Sequence, residues 1–233
     1  MTAAIEVREV VDSTQDEVHA WGESGRPHGS ALLAREQAAG RGARGHRWAS
    51  PRGGLWLSVL VRPRSAAAAE VLSLRAGLAV ATVVERLPGV PPVRIKWPND
   101  LMLADRKVGG ILCEARWRGE APAWVTIGVG LNVTNELPAE LRAGATRLGE
   151  HTRPPEVEPL ARAIVEALLP LADAPPQLTA AEQRAFERRD WLRGRRLAAP
   201  EAGLAAGVSA DGALLVRTTG GMVEARAGSV ALA

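Results

Sequence analysis

The chain has little cysteine, lysine or asparagine, and each shortage narrows what it can be. Cys113 is its one cysteine, which excludes an internal disulfide framework and fits a reducing cytoplasm. His19, His28, His46 and His151 have no ligand spacing with one another or with Cys113, so no zinc site is expected. No basic start followed by an apolar stretch opens the sequence, so a secretory signal is not expected. The longest helix-like run, residues 65–87, carries Glu70, Arg75, Glu85 and Arg86 and does not read as a membrane span. No internal repeat is visible. A net charge of +3 is too mild to imply a nucleic-acid partner. Of 29 basic residues two are lysines, Lys96 and Lys107, leaving 27 arginines. In a chain that uses arginine almost everywhere a generic cation would serve, these two mark positions needing a compact ammonium, unless they are ordinary surface lysines. Asparagine occurs at Asn99, Asn132 and Asn135, and Asn99 shares one short segment with Lys96.

What is present suits a folded protein. The 233 residues, 46% of them hydrophobic, fit one large domain or a domain with a small appendage. Residues 5–11 alternate weakly as a strand. Ser13 or Thr14 can cap a short helix, with Asp16 or Glu17 completing a capping box. Residues 30–35 and the apolar run 55–61 read as strands, and 66–87 as one long helix stopped at Pro88-Gly89. Residues 93–97 form a strand ending at Pro98. A hairpin follows with its turn at Asp105-Arg106, then a strand over 124–133 and helices over about 156–171 and 179–192. The last forty residues change character: four short strands, with tight-turn signals at Asp211-Gly212 and Gly220-Gly221, suggest a small β-barrel or sandwich. The irregular mix of strands, hairpins and helices predicts an α+β fold with a mixed, largely antiparallel sheet. The expected division is 1–190 and 191–233.

Three segments carry the chemistry. Residues 36–48 interleave Gly40, Gly42 and Gly45 with Arg41, Arg44 and Arg47, a loop suited to gripping an anion. Gly40-Arg-Gly-Ala-Arg-Gly45 formally matches the dinucleotide fingerprint, but a strand follows where a helix is required, and no P-loop lysine is present. An RNA contact is a further reading, weakened by the short basic run and by Trp48 as its one nearby aromatic. Lys96-Trp-Pro-Asn-Asp100 fixes polar groups at a strand end. Lys96 can neutralise a phosphate, and Asp100 can hold Mg²⁺ or orient an attacking amine, although Asn-Asp also simply makes turns. Lys107 precedes Gly109 and Gly110, glycines that mark a bulge or a close approach. Cys113, inside an apolar strand, reads as core packing.

Together, Asp12-Ser-Thr14, Gln37-Ala-Ala-Gly-Arg-Gly42 through Trp48, Lys96-Trp-Pro-Asn-Asp100, Lys107-Val-Gly-Gly-Ile-Leu112 and Gly128-Val-Gly-Leu-Asn132 resemble the biotin protein ligases in order and spacing. The resemblance implies a class II synthetase-like core with a C-terminal SH3-like barrel. It also implies two half-reactions, formation of biotinyl-5′-AMP from biotin and ATP and then transfer to a lysine of a biotin carboxyl carrier protein. It would place Ser13, Thr14, Gln15 and Gln37 on the ureido ring, with Gly40, Gly42, Ala43, Gly109 and Gly110 beside biotin. Arg41 and Lys107 would lie near the carboxylate and phosphate, and Lys96 on the phosphates. Asp100 would orient the incoming lysine or support Mg²⁺. Trp48 would pack on adenine, with Arg44, Asn99 and Asn132 on the nucleotide. Arg41, Lys96, Asp100 and Lys107 are the implied catalytic set.

Two departures stand out. Ala43 and His46 occupy positions that are commonly Arg in the family, and Gln15 stands where Asn is frequent. Loss of the cation at 43 predicts a looser hold on the adenylate unless Arg44 or Arg47 substitutes. With twelve residues before Ser13, the chain is expected to be of the ligase-only type, without an N-terminal DNA-binding domain. It is expected in the cytoplasm, without nucleic-acid or membrane partners, and a homodimer stays open. A lipoate–protein ligase is the near alternative.

Overall fold

The computed structural model describes residues 5–233. Seven strands form the main sheet: β1 (Ile5–Val11), β2 (Ala31–Gln37), β3 (Leu55–Val61), β4 (Arg94–Lys96), β5 (Asp100–Leu103), β6 (Arg106–Arg118) and β7 (Ala121–Leu131), in the order β1-β2-β3-β7-β6-β5-β4. β1 and β2 pair parallel because α1 (Thr14–Glu23) carries the chain back between them. Every other neighbour in this sheet is antiparallel, in agreement with the sequence expectation.

Period-two alternation sorts the strand side chains onto two faces. Leu33, Leu57, Val59, Ile127 and Val129 join the main core, which α3 (Leu72–Val84) and α4 (Val157–Leu168) complete. The opposite face carries α1, whose Val18 and Trp21 pack with Leu32, Leu60 and Trp124. On that face β3 also presents Trp56, which packs with Val11, Ala34 and Trp48. α1 is short and leaves the rest of this face uncovered.

Several boundaries differ from expectation. The helix expected over 66–87 is two helices, α2 (Ala66–Glu70) and α3, because Val71 leaves helical geometry at φ −90°, ψ 0°. The break turns Val71 and Leu72 together into the core. α4 passes into a tighter turn at Leu169–Asp173, where Pro170 lacks the N–H an α-helix needs. α5 (Ala180–Arg189) stops before 192 because the next residues run beside β4, with the Trp191 N–H donating to the Ile95 carbonyl at 3.0 Å.

The C-terminal strands β8 (Arg196–Ala199), β9 (Gly203–Val208), β10 (Leu214–Thr218) and β11 (Gly221–Ala225) lie close to their expected positions. With β12 (Ala231–Leu232), which was not anticipated, they form an antiparallel sheet ordered β11-β10-β9-β8-β12. No helix among the described residues is long and apolar enough to cross a membrane.

Candidate functional site

A cavity of about 530 Å³ opens on the face that α1 leaves uncovered. Its depth comes from Gly128 and Gly130 on β7. A methyl group at 128 would lie 3.0 Å from the Gln15 amide carbon, and one at 130 would lie 2.8 Å from Trp48 Nε1. These glycines give the sheet a floor on which both side chains can lie.

One end of the cavity is polar. Ser13 holds the N-cap position of α1, but its hydroxyl makes no cap bond, which overturns the capping-box reading. It is 1% exposed, and Oγ has no partner among the described residues. A buried hydroxyl without a partner is costly unless a ligand satisfies it. Next to it, Gln37 Oε1 accepts from the Thr14 N–H at 2.8 Å and from Thr14 Oγ1 at 3.0 Å. Thr14 and Ser58 share a contact of 2.8 Å, and Ser58 Oγ donates to Gln15 Oε1 at 3.0 Å. These two hydroxyls carry one proton each for three contacts; with both given to the amide oxygens, the Thr14–Ser58 contact is the one left without a proton. Gln15 Nε2 meets the Leu112 carbonyl at 3.2 Å and Glu114 at 3.1 Å.

Glu114 is the hub between this end and the cations. Arg41 Nη2 lies 2.8 Å from Glu114 and 2.8 Å from Asp16. The imidazole of His19, 3.6 Å away, and the Arg41 guanidinium hold the Glu114 carboxyl below its ordinary range against the opposing effect of burial. Trp124 Nε1 donates to His19 Nδ1 at 3.1 Å, which leaves Nε2 facing Thr126 and Glu114.

The cationic end is built by the β5–β6 hairpin and the loop before β5. Asp100 stands opposite Gly110 in the register, and a bulge between Leu101 and Met102 brings Lys107 into reach. Lys107 Nζ lies 2.5 Å from Asp100 Oδ1 and 5.0 Å from the Trp48 ring centroid. Lys96 lines the same cavity, 5.6 Å from the Trp191 ring centroid. The two lysines singled out by composition thus converge on one space.

The glycine- and arginine-rich loop is a closed hairpin. Its bridges are Gln37 to Ser50 and Arg41 to Arg47, and its tip has Arg44 at φ 57° and Gly45 at φ 76°. Arg44 Nη1 donates to the Gly228 carbonyl at 2.9 Å, and Arg47 Nη2 to the Ala38 carbonyl at 3.0 Å. Ala43 and Gly42 line the cavity, and so do Ser229 and Val230 of the C-terminal segment.

Not every expected site residue faces the cavity. Gly40 and Gly109 do not line it. A methyl at 40 would meet Ser50 Oγ and the Trp48 carbonyl at 2.5 Å, and one at 109 would meet Leu131 Cδ2 at 2.4 Å. Hairpin closure and sheet packing, respectively, demand those glycines. Asn132 does line the cavity, but Thr146 and Asn135 engage its amide; Asn99 Nδ2 donates to the Ile111 carbonyl at 2.8 Å. Trp48 Nε1 is buried without a partner among the described residues. Cys113 packs against the main core, and desolvation pushes its thiol up to about 12. Among the described residues no group of three or more His, Cys, Asp or Glu could hold a metal ion. Sequence reasoning missed Ser58 and Glu114. A single Ser inside the otherwise apolar run Leu55–Val61 was the available signal for the first.

A model of the Biotin/lipoate A/B protein ligase family matches residues 7–132. The chain belongs to this family. It is 35% identical over 147 residues to the Bacillus subtilis "Bifunctional ligase/repressor BirA", a match covering 61% of this chain and 45% of that protein. It is 44% identical over 125 residues to a Mycobacterium tuberculosis biotin–[acetyl-CoA-carboxylase] ligase, covering 52% and 45%. The matched stretch thus spans under half the length of these curated relatives. Among solved structures, the biotin protein ligase from Aquifex aeolicus in complex with biotin and ATP superposes with a TM-score of 0.80 at 27% identity, covering 98% of both chains. The family match spans the loop hairpin, both lysines and the β7 glycines.

Proposed function

We propose that the protein is an ATP-dependent biotin protein ligase that forms biotinyl-5′-AMP and transfers the biotinyl group to a lysine of a biotin carboxyl carrier protein. One observation carries this reading. A single cavity joins a buried Ser13 hydroxyl with no partner among the described residues, and the Thr14–Ser58–Gln15–Gln37 network, at one end to Arg41, Lys96 and Lys107 at the other. A cyclic urea has a carbonyl for Ser13 and N–H groups for the amide oxygens. The dithiolane of lipoate has neither, so the polar end favours biotin.

In the first half-reaction a carboxylate oxygen of biotin attacks the α-phosphorus of ATP, and the bond to pyrophosphate breaks. Two anions must be brought together, and Arg41 and Lys107 are the cations for that purpose, with Lys96 on the leaving phosphates. Asp100 fixes the Lys107 ammonium before substrate arrives. In the second half-reaction the amine of the carrier lysine attacks the acyl carbon and AMP leaves; Asp100 is the lining carboxylate suited to accept the amine proton. The donor set fits a Mg²⁺ brought in on the nucleotide and supported by one carboxylate, Asp100, rather than a resident site. Bound there, it would screen phosphate charge. Residues 191–233 are read as an SH3-like module whose Ser229 and Val230 help close the cavity.

The test is mass spectrometry of a carrier domain incubated with the protein, biotin and ATP. One biotinyl group on one lysine is expected, and Lys107→Ala should abolish it. An unmodified carrier, or full activity in the variant, would contradict the proposal.

A further inference from the structure

Lys96 differs from the other cations of the cavity wall. Lys107 carries Asp100, and Arg41 carries Asp16 and Glu114. No hydrogen bond or ion pair reaches the Lys96 ammonium among the described residues; its neighbour is the ring of Trp191, 5.6 Å from Nζ to centroid. Trp191 is buried and held from several sides. Its Nε1 donates to Asp105 Oδ1 at 2.7 Å, the Arg195 guanidinium lies 3.8 Å over its ring, and its backbone N–H donates to the carbonyl of Ile95, the residue before Lys96. Asp105 sits at φ 62° in the β5–β6 turn and also accepts from Arg195 at 3.0 Å. None of this clamp belongs to the motifs read from the sequence.

We propose that Trp191 is a positioning residue for Lys96, holding its ammonium at the cavity where the phosphates of ATP are to be bound. The inference rests on the ligase reading and deepens it. A carboxylate would fix a lysine equally well but would compete with the incoming phosphates for it. An aromatic face attracts the cation through its quadrupole and leaves the full charge available. The clamp on Trp191 is formed by Asp105 at the tip of the hairpin that carries Lys107 and by Arg195 at the edge of the C-terminal module. Those two elements thereby set where Lys96 stands.

A double-mutant cycle tests this. A nonhydrolysable ATP analogue and, separately, biotin are titrated calorimetrically into the wild type, Lys96→Ala, Trp191→Leu and the double variant. Trp191→Leu should weaken the ATP analogue about three- to tenfold and leave biotin unchanged, while Trp191→Phe, which keeps a ring face but loses the bond to Asp105, should lose less than Trp191→Leu. In the Lys96→Ala background, Trp191→Leu should have no further effect. An equal loss in both backgrounds, or a matching loss for biotin, would overturn the positioning role and leave the ligase reading intact. A wild type that binds neither ligand would overturn both. If Trp191→Leu does not fold, Asp105→Gly replaces it in the cycle, since glycine suits the positive φ and frees the indole; non-additivity with Lys96→Ala supports the proposal and additivity overturns it.

Discussion

The Ser13 hydroxyl takes no part in the hydrogen bonding of the fold among the described residues. It is buried, stands at a helix N-terminus and yet caps nothing. Ser13→Ala should therefore raise the melting temperature of the ligand-free protein by about 2–4 °C, because it removes a buried hydroxyl that has no partner among the described residues. The KM for biotin should rise about tenfold, the worth of one net hydrogen bond of about 1.4 kcal/mol. Steady-state kinetics and a thermal melt on the same sample check both. From sequence the same Ser reads as a cap, since local spacing cannot tell whether a hydroxyl points back at its own helix or across to a cavity. Glu114 was equally hidden: a carboxylate in a long strand reads as a solvated face until Arg41, Gln15 and His19 are brought to it from elsewhere. Its lowered folded-state pKa makes its stabilising effect complete above the ordinary glutamate value of 4.5 and lost as pH falls through the lower folded value. Chemical denaturation across pH 3–7 should show the wild type more stable than Glu114→Gln at neutral pH, with the gap closing below about pH 4.5.

At the scale of elements, the 37–50 hairpin explains why Ala43 matters. Arg44 and Arg47 also line the cavity, with Arg44 donating to the Gly228 carbonyl and Arg47 to the Ala38 carbonyl. Ala43 lines the cavity with no charge of its own. Ala43→Arg should slow release of biotinyl-5′-AMP about tenfold, in line with one added charge-assisted contact to phosphate, measured by chasing labelled adenylate from the protein. An unchanged release rate would remove Ala43 from the account. Strands were legible because their alternation and turn glycines are local signals; β1 and β3 match the expected spans to the residue. The helix break at Val71 was not legible, because a run of alanines and leucines satisfies helical periodicity whether or not the core pulls one residue out of line.

At the scale of the whole molecule, long-range polar contacts tie the helical layer together in ways no local pattern announces. Arg75 of α3 is 1% exposed, pairs with Glu182 of α5 at 2.7 Å and donates to the carbonyls of Pro175 and Gln177. Arg75→Ala should lower the unfolding free energy by about 3–5 kcal/mol, since it strands a part-buried carboxylate and two carbonyls, while the KM for biotin stays unchanged. The family's motifs, by contrast, were legible across the chain because chemistry demands them at fixed places: two lysines, one loop hairpin and two floor glycines converge on a single cavity. The central claim is that this cavity joins a urea-reading end to an anion-gathering end. ATP–pyrophosphate exchange, run with biotin and with lipoate as the acid, tests it most directly. The account predicts exchange that depends on biotin and is absent with lipoate; exchange with lipoate alone, or with neither acid, would contradict it.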